Sequence, residues 1–143
     1  MAEENKKIKV LVIPSDTSGV GFYRSVSPHT KLDELYSEDF EVEINYNPDW
    51  NNPKSFDKYD IVHFHKGLIN NMNSIWTCLK YFKENNIVSI MDIDDNWDVG
   101  PQHPLYQSNR AMKAPEKIIE NIKLSDYVTT TTSIFADKIR KYN

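Results

Sequence analysis

Two rhythms of apolar positions alternate along this chain, uninterrupted runs and recurrences at three and four. Ile8 to Ile13 is a β-branched run closed by Pro14, which predicts a strand in the middle of a parallel sheet. Phe22 to Tyr36 reads as a helix, either kinked at Pro28 or restarting there with Ser27 as its cap, and Leu32, Leu35 and Tyr36 supply its apolar stripe. Phe40 to Tyr46 alternates apolar with polar residues, the pattern of a strand with one wet face near an edge. The stretch from Asn47 to Tyr59 is rich in turn formers and has no period. Asp60 to Phe64 predicts a short buried strand, ended by His65, Lys66 and Gly67. From Asn70 to Asn85, the spacing of Met72, Ile75, Trp76, Leu79 and Phe82 predicts an amphipathic helix.

The run that starts at Ile87 is the one the chain is arranged around. It breaks abruptly into acid, aromatic and proline, DIDDNWDVGPQHPLY, so it predicts a strand buried on both faces with its acidic end at the carboxyl side. A polar connection leads to Pro115, placed as the first residue of a helix bearing Ile118, Ile119 and Ile122. Tyr127 to Thr132 predicts a fifth strand, and Ser133 the cap of a last helix whose Phe135, Ile139 and Tyr142 share a face. The order β-α-β-β-α-β-α-β-α predicts a single α/β lobe spanning 1–143. It is a Rossmann-like parallel sheet of about five strands with helices on both faces. The expected strand order is 3-2-1-4-5, with the ligand crevice beside the first strand.

Composition narrows the function classes. The chain has 143 residues, about one domain, with a net charge of −4 and a pI near 5.5. Its lysines are scattered, which leaves no electrostatic footprint for nucleic acid or an anionic membrane. A single cysteine, Cys78, rules out an internal disulfide or a cysteine-based zinc site. No apolar stretch approaches the ~20 residues of a membrane span, and the polar start lacks the apolar region of a signal peptide. The expectation is a cytoplasmic protein.

The candidate chemistry gathers at the strand ends. Asp92, Asp94 and Asp95 place three carboxylates in four positions, and a period of two sends the first two to one side and Asp95 to the other. Such a cluster can hold Mg²⁺, Mn²⁺ or Ca²⁺ through oxygen. Equally, Asp94 and Asp95 can cap turns while Trp97 and Tyr106 pack the loop down. After the first strand, Gly19 and Gly21 form a loop whose amides can approach a phosphate, although the GxGxxG fingerprint would need a glycine where Arg24 stands. Arg24 can clamp phosphate oxygens, or be paired on the surface of a tight turn. His63 and His65 lie on one side of their strand, so they can form a metal pair or a proton-transfer element. His65 is the better site candidate because it stands nearer the carboxyl end, and His63 reads as a packed core histidine. Trp97 can stack on a sugar ring.

SGVGFYR after the first strand, KYDIVHFHKG at the third and SDYVTTTTSIFADKIRKYN at the end resemble the amino-terminal lobe of GT-B glycosyltransferases. The likeness is to the family-4-like group, including versions found in phage genomes, where such a lobe would work in the host cytoplasm. It covers nearly the whole chain. The resemblance implies an acceptor-side domain that transfers a sugar from a nucleotide-sugar only in combination with a donor-binding lobe, here a carboxyl-terminal lobe or a partner chain. In that reading Gly19, Gly21 and Arg24 lean over the donor diphosphate, His65, Asp92, Asp94 and Asp95 stand at the reaction centre, and Lys66 and Trp97 face substrate. Where that family often carries a histidine this chain has the aspartates of DIDD, and His103 is the nearest histidine to substitute. No metal and no cofactor besides the nucleotide-sugar substrate is implied. A second reading is a non-enzymatic binding or assembly module that keeps this half fold. A small nucleotide-binding protein ranks below it, and a receiver domain lower still, since the acidic cluster follows the fourth strand rather than the first.

Overall fold

The computed structural model describes residues 6–66 and 71–143. Gly67 and Asn70, taken above as a strand terminator and a helix start, lie outside the described residues. Five strands, β1 (Ile8–Ile13), β2 (Phe40–Ile44), β3 (Ile61–His65), β4 (Val88–Ile93) and β5 (Tyr127–Thr130), form one parallel sheet. With its helices this is a single α/β, Rossmann-like domain.

The order is β2-β1-β3-β4-β5, not the expected 3-2-1-4-5. Burial explains the correction. In β2 the exposed Glu41 and Glu43 alternate with half-buried Phe40, Val42 and Ile44, so the strand suits an edge. By contrast Val62, His63 and Phe64 of β3 are all buried. The expected order would put the half-wet strand inside and expose the buried one. Instead β1 pairs with β2 on one side, Ile8 opposite Phe40, and with β3 on the other, Val10 opposite Ile61. The connection from β2 to β3 is also less featureless than its sequence. It contains a 3₁₀ turn at Pro53–Phe56 and buries Trp50, Phe56 and Tyr59.

The segment after β1 is helical from Gly19. A short α1 (Gly19–Gly21) runs into a π turn (Phe22–Val26), and that into α2 (Ser27–Leu35). Pro28 accounts for the irregularity. It has no N–H, and in a regular helix its ring would strike the carbonyl four residues back, at Arg24. The wider π turn, closed by Ser27 N donating to Phe22 O, precedes the proline and lets the helix continue without a break. The predicted stripe of α2 is not a core stripe, because Leu35 is 72% and Tyr36 55% exposed.

The remaining helices are α3 (Met72–Glu84), α4 (Tyr106–Ala111), α5 (Ala114–Leu124) and α6 (Ser133–Ile139). The main core lies on the sheet face that presents Leu11, Ile13, Val62, Phe64, Met91 and Ile93. Against it pack Ile75, Leu79 and Phe82 of α3 and Ile118 and Ile122 of α5. Trp76, expected on the buried stripe of α3, is 38% exposed, and Cys78 is buried instead, its thiol donating to Trp50 O. The opposite face carries Val10, Val12 and His63, with His29 of α2 against the His63 ring. Helices thus cover both faces. The cap of α6 is Thr132, whose hydroxyl accepts from Phe135 N at 3.1 Å, rather than Ser133. No helix among the described residues is long and apolar enough to cross a membrane.

Candidate functional site

The acidic end of β4 is divided between two partners. Asp92, 3% exposed, accepts from Arg24 Nε at 2.7 Å and Nη2 at 2.5 Å, and from Thr129 Oγ1 of β5 at 2.6 Å. His65 stands opposite Asp92 in the register, so both side chains leave the same face of the sheet. The imidazole donates from Nε2 to Asp94 Oδ1 at 2.7 Å. The crowding of carboxylates is therefore relieved by a guanidinium on one and an imidazole on the other. The hydrogen bonds that Arg24 donates to Asp92 raise its pKa against the effect of partial burial. Burial pushes the Asp94 carboxyl up, but the His65 hydrogen bond and charge outweigh it and hold the group below the usual carboxylate value.

Arg24 is thus paired, but with a buried strand rather than on the surface. It reaches Asp92 from the π turn and ties that turn to β4. Among the described residues its Nη1 has no partner.

The glycine loop is arranged differently from a phosphate cradle. The Asp16 carboxylate accepts from Ser18 N at 2.8 Å, Ser18 Oγ at 2.6 Å and Gly21 N at 3.2 Å, so amides that would face an anion face Asp16 instead. The Ser18 hydroxyl and amide are the main cause of an Asp16 pKa lowered to about 2. A Cβ on Gly21 would lie 2.0 Å from Asp16 O, which explains that glycine by close approach of helix and loop. At Gly19 the nearest atom would be 4.0 Å away. Sequence reasoning passed over Asp16, although an acidic residue two before a serine at a helix start is a local capping signal.

Two crevices open along the carboxyl edge. The first, about 290 Å³, lies between the ends of β1 and β3 and is lined by Pro14, Asp16, Tyr46, Trp50, His65 and Lys66 among others. The helix after β1 and the helix after β3 cover opposite faces, so this is the switch point of the sheet. The second, about 530 Å³, lies beyond β4, with Lys66, Asp95, Trp97, His103, Asn109 and Ile118 in its lining. Lys66 borders both. Asp95, beyond the end of β4, is exposed and lines the second crevice, which Asp92 and Asp94 do not. His103 also belongs to the second crevice and does not join His65. Its Nδ1 accepts from Leu105 N at 3.1 Å within its own turn. Trp97 is 4% exposed, with Phe135, Tyr142 and the Lys138 ammonium around its ring. Trp97 thus packs the loop down, the other role its sequence allows, while it borders the second crevice.

Behind this edge lies a polar cluster that the sequence concealed. His63 is 6% exposed and its ring centroid is 4.5 Å from that of His29 in α2. His29 Nδ1 donates to Ser25 O at 2.7 Å. Burial, then the neighbouring His29, lowers the His63 pKa to about 4, and burial likewise lowers that of His29. His63 Nδ1 and Ser25 Oγ are buried without a hydrogen-bond partner among the described residues. His29, which has no apolar period to mark it, could be found only through its packing. Among the described residues no three His, Cys, Asp or Glu side chains gather as a metal-ligand set.

Comparison of the chain with family models, curated proteins and solved structures finds no match.

Proposed function

We propose that this chain is the acceptor-side lobe of a two-lobed sugar-transfer enzyme of the GT-B kind, silent until a donor-binding lobe closes over its carboxyl edge. The observation that supports the reading is the His65–Asp94 pair at the switch-point crevice. A carboxylate that accepts the hydrogen bond from Nε2–H of an imidazole fixes the tautomer and leaves Nδ1 as the basic atom. Among the described residues that Nδ1 has no partner. In the proposed step an acceptor hydroxyl in the crevice attacks the anomeric carbon of the donor sugar and its proton passes to His65 Nδ1. The bond from that carbon to the nucleotide phosphate breaks, and the diphosphate leaves on the donor lobe. Trp50 and Pro14 give the crevice an apolar wall, and Tyr46, Asp16 and Lys66 a polar rim, a lining suited to a hydroxylated ring.

An NMR titration tests it. Hydroxylated acceptors, offered as a panel of mono- and oligosaccharides, should shift the signals of Ser15, Tyr46, His65 and Lys66, and Asp94→Asn should weaken that binding. The isolated chain should not turn over nucleotide-sugars, since the chemistry needs both lobes closed. Turnover by this lobe alone, or binding centred away from His65, overturns the reading.

One observation favours the second reading, a non-enzymatic binding or assembly module. The features expected to hold the donor phosphates are satisfied internally, the loop amides by Asp16 and two Arg24 nitrogens by Asp92.

A further inference from the structure

The pair of buried His63 and half-buried His29 stands apart from the residues that line the crevice. Three observations meet at it. The π turn carries two consecutive residues with opposite assignments: Arg24, bound bidentately to Asp92, and Ser25, 1% exposed with an unpartnered hydroxyl. Beneath it, His63 of β3 offers an equally buried and unpartnered Nδ1. His29, one turn further along the helix, covers the His63 ring and is itself tied to the π turn through Ser25 O. The irregular turn is therefore hydrogen-bonded to one imidazole that lies against the other, and its guanidinium is its only ionic tie to the sheet among the described residues.

We propose that the His29–His63 pair is a proton-operated seat for the π turn: with both rings uncharged the turn stays down and Arg24 stays on Asp92, and a proton on either ring unseats the turn while the sheet remains folded. The charged groups facing the pair decide the direction. From the π turn comes the Arg24 guanidinium, from β3 the His65 ring, and from each imidazole the other, all of which oppose a new positive charge. The Ser25 carbonyl that accepts from His29 and the Asp92 carboxylate of β4 favour it, and that carboxylate already accepts three hydrogen bonds, from Arg24 and Thr129. Among the described residues no second carboxylate acts on the pair, since Asp94 is taken up by His65. A buried imidazolium so placed has an obvious relief, which is to let the helical cover lift and admit water. Because Arg24 is anchored on the same turn, the relief breaks the Arg24–Asp92 clamp at the edge of the sheet. The device works whatever occupies the crevice, and it survives if the proposed sugar chemistry fails.

The test is an NMR pH titration of the full chain from pH 7.5 to 4, following the ring signals of His29 and His63 together with the Arg24 Nε–H, which its bond to Asp92 should make slow to exchange. The expected result is loss of the Arg24 signal with the same midpoint as the first histidine to titrate, while the methyl signals of Ile75 and Leu79 in the opposite core stay dispersed. In the double variant His29→Gln, His63→Gln the Arg24 signal should persist to a pH at least one unit lower. An Arg24 signal that outlasts the titration of both rings overturns the proposal. So does loss at the same pH in the parent and the variant, which would assign the event to the Asp92 carboxylate. If the variant does not fold, the coincidence or separation of midpoints in the parent chain decides by itself.

Discussion

At the scale of single residues, two sites separate what burial demands from what chemistry demands. Arg24→Ala leaves the Asp92 carboxylate in the interior with Thr129 as its one side-chain partner among the described residues. The expected loss is about 3 kcal/mol, the low end for breaking a buried pair, because Arg24 itself keeps some access to water. Removing Asp92 as well should cost little more, and urea unfolding of the single and double variants checks this. The glycines give the opposite kind of contrast. Gly21→Ala should destabilise by about 1–3 kcal/mol, since its methyl meets fixed backbone at Asp16. Gly19→Ala, whose methyl would meet only the Tyr23 ring at 4.0 Å and whose φ is not positive, should be neutral or stabilising by up to about 1 kcal/mol. Equal effects at the two positions would refute the close-approach account and restore a shared role in the loop.

At the scale of elements, the strands and the long helices were legible because each follows one period over enough residues to show it. β1 runs over the predicted Ile8–Ile13, and α3 begins and ends within two residues of its expected bounds. What the period could not show were elements made by tertiary contact. The 3₁₀ turn with Phe56 and the short α4 have too few residues for a rhythm, and the π turn arises from a conflict between Pro28 and the helix around it. The β4–β5 junction is held the same way, by one side chain outside any pattern. Asp126 Oδ2 accepts from Ser89 N at 2.9 Å and Ser89 Oγ at 3.2 Å, and Asp126 N donates back to Ser89 Oγ at 3.0 Å. Ser89 has no exposure at all, so Asp126→Ala should destabilise the fold by about 1–3 kcal/mol through the amide and hydroxyl left unsatisfied. A urea midpoint unchanged from the parent would show that water replaces the carboxylate there.

At the scale of the whole molecule, the buried histidine sets the dependence of stability on pH. The His63 pKa is lowered from 6.5 to about 4 in the folded chain, so the unfolded chain takes up its proton first. Stability is therefore complete above about pH 6.5, falls as the pH drops from there to 4, and stays lost below. The loss amounts to roughly 3 kcal/mol for this one group. His29, also lowered, acts in the same direction. Asp94 adds a further loss in stronger acid. Its folded pKa lies below 3.8, so its contribution is present above that value and disappears as the pH falls through the folded one. Urea midpoints at pH 7.5, 6, 5 and 4 should trace this fall, and His63→Gln should flatten the part between 6.5 and 4. A midpoint flat across that interval in the parent chain would mean that His63 is not buried neutral.

The sequence by itself determined the class of fold. Short apolar runs that alternate with amphipathic helices suit the interior of a parallel sheet, and the helices between them cover it. It also placed the polar chemistry at the strand ends, because that is where the apolar runs stop. The tertiary structure alone decided the partners. The half-wet β2 went to the edge because neighbouring strands compete for burial, and no single strand carries that comparison. Asp92 met Arg24, and Asp94 met His65, across 68 and 29 residues of chain, distances over which a sequence pattern has no phase. His29 met His63 for the same reason, since a contact between a helix and the sheet beneath it depends on how the two pack and not on the period of either.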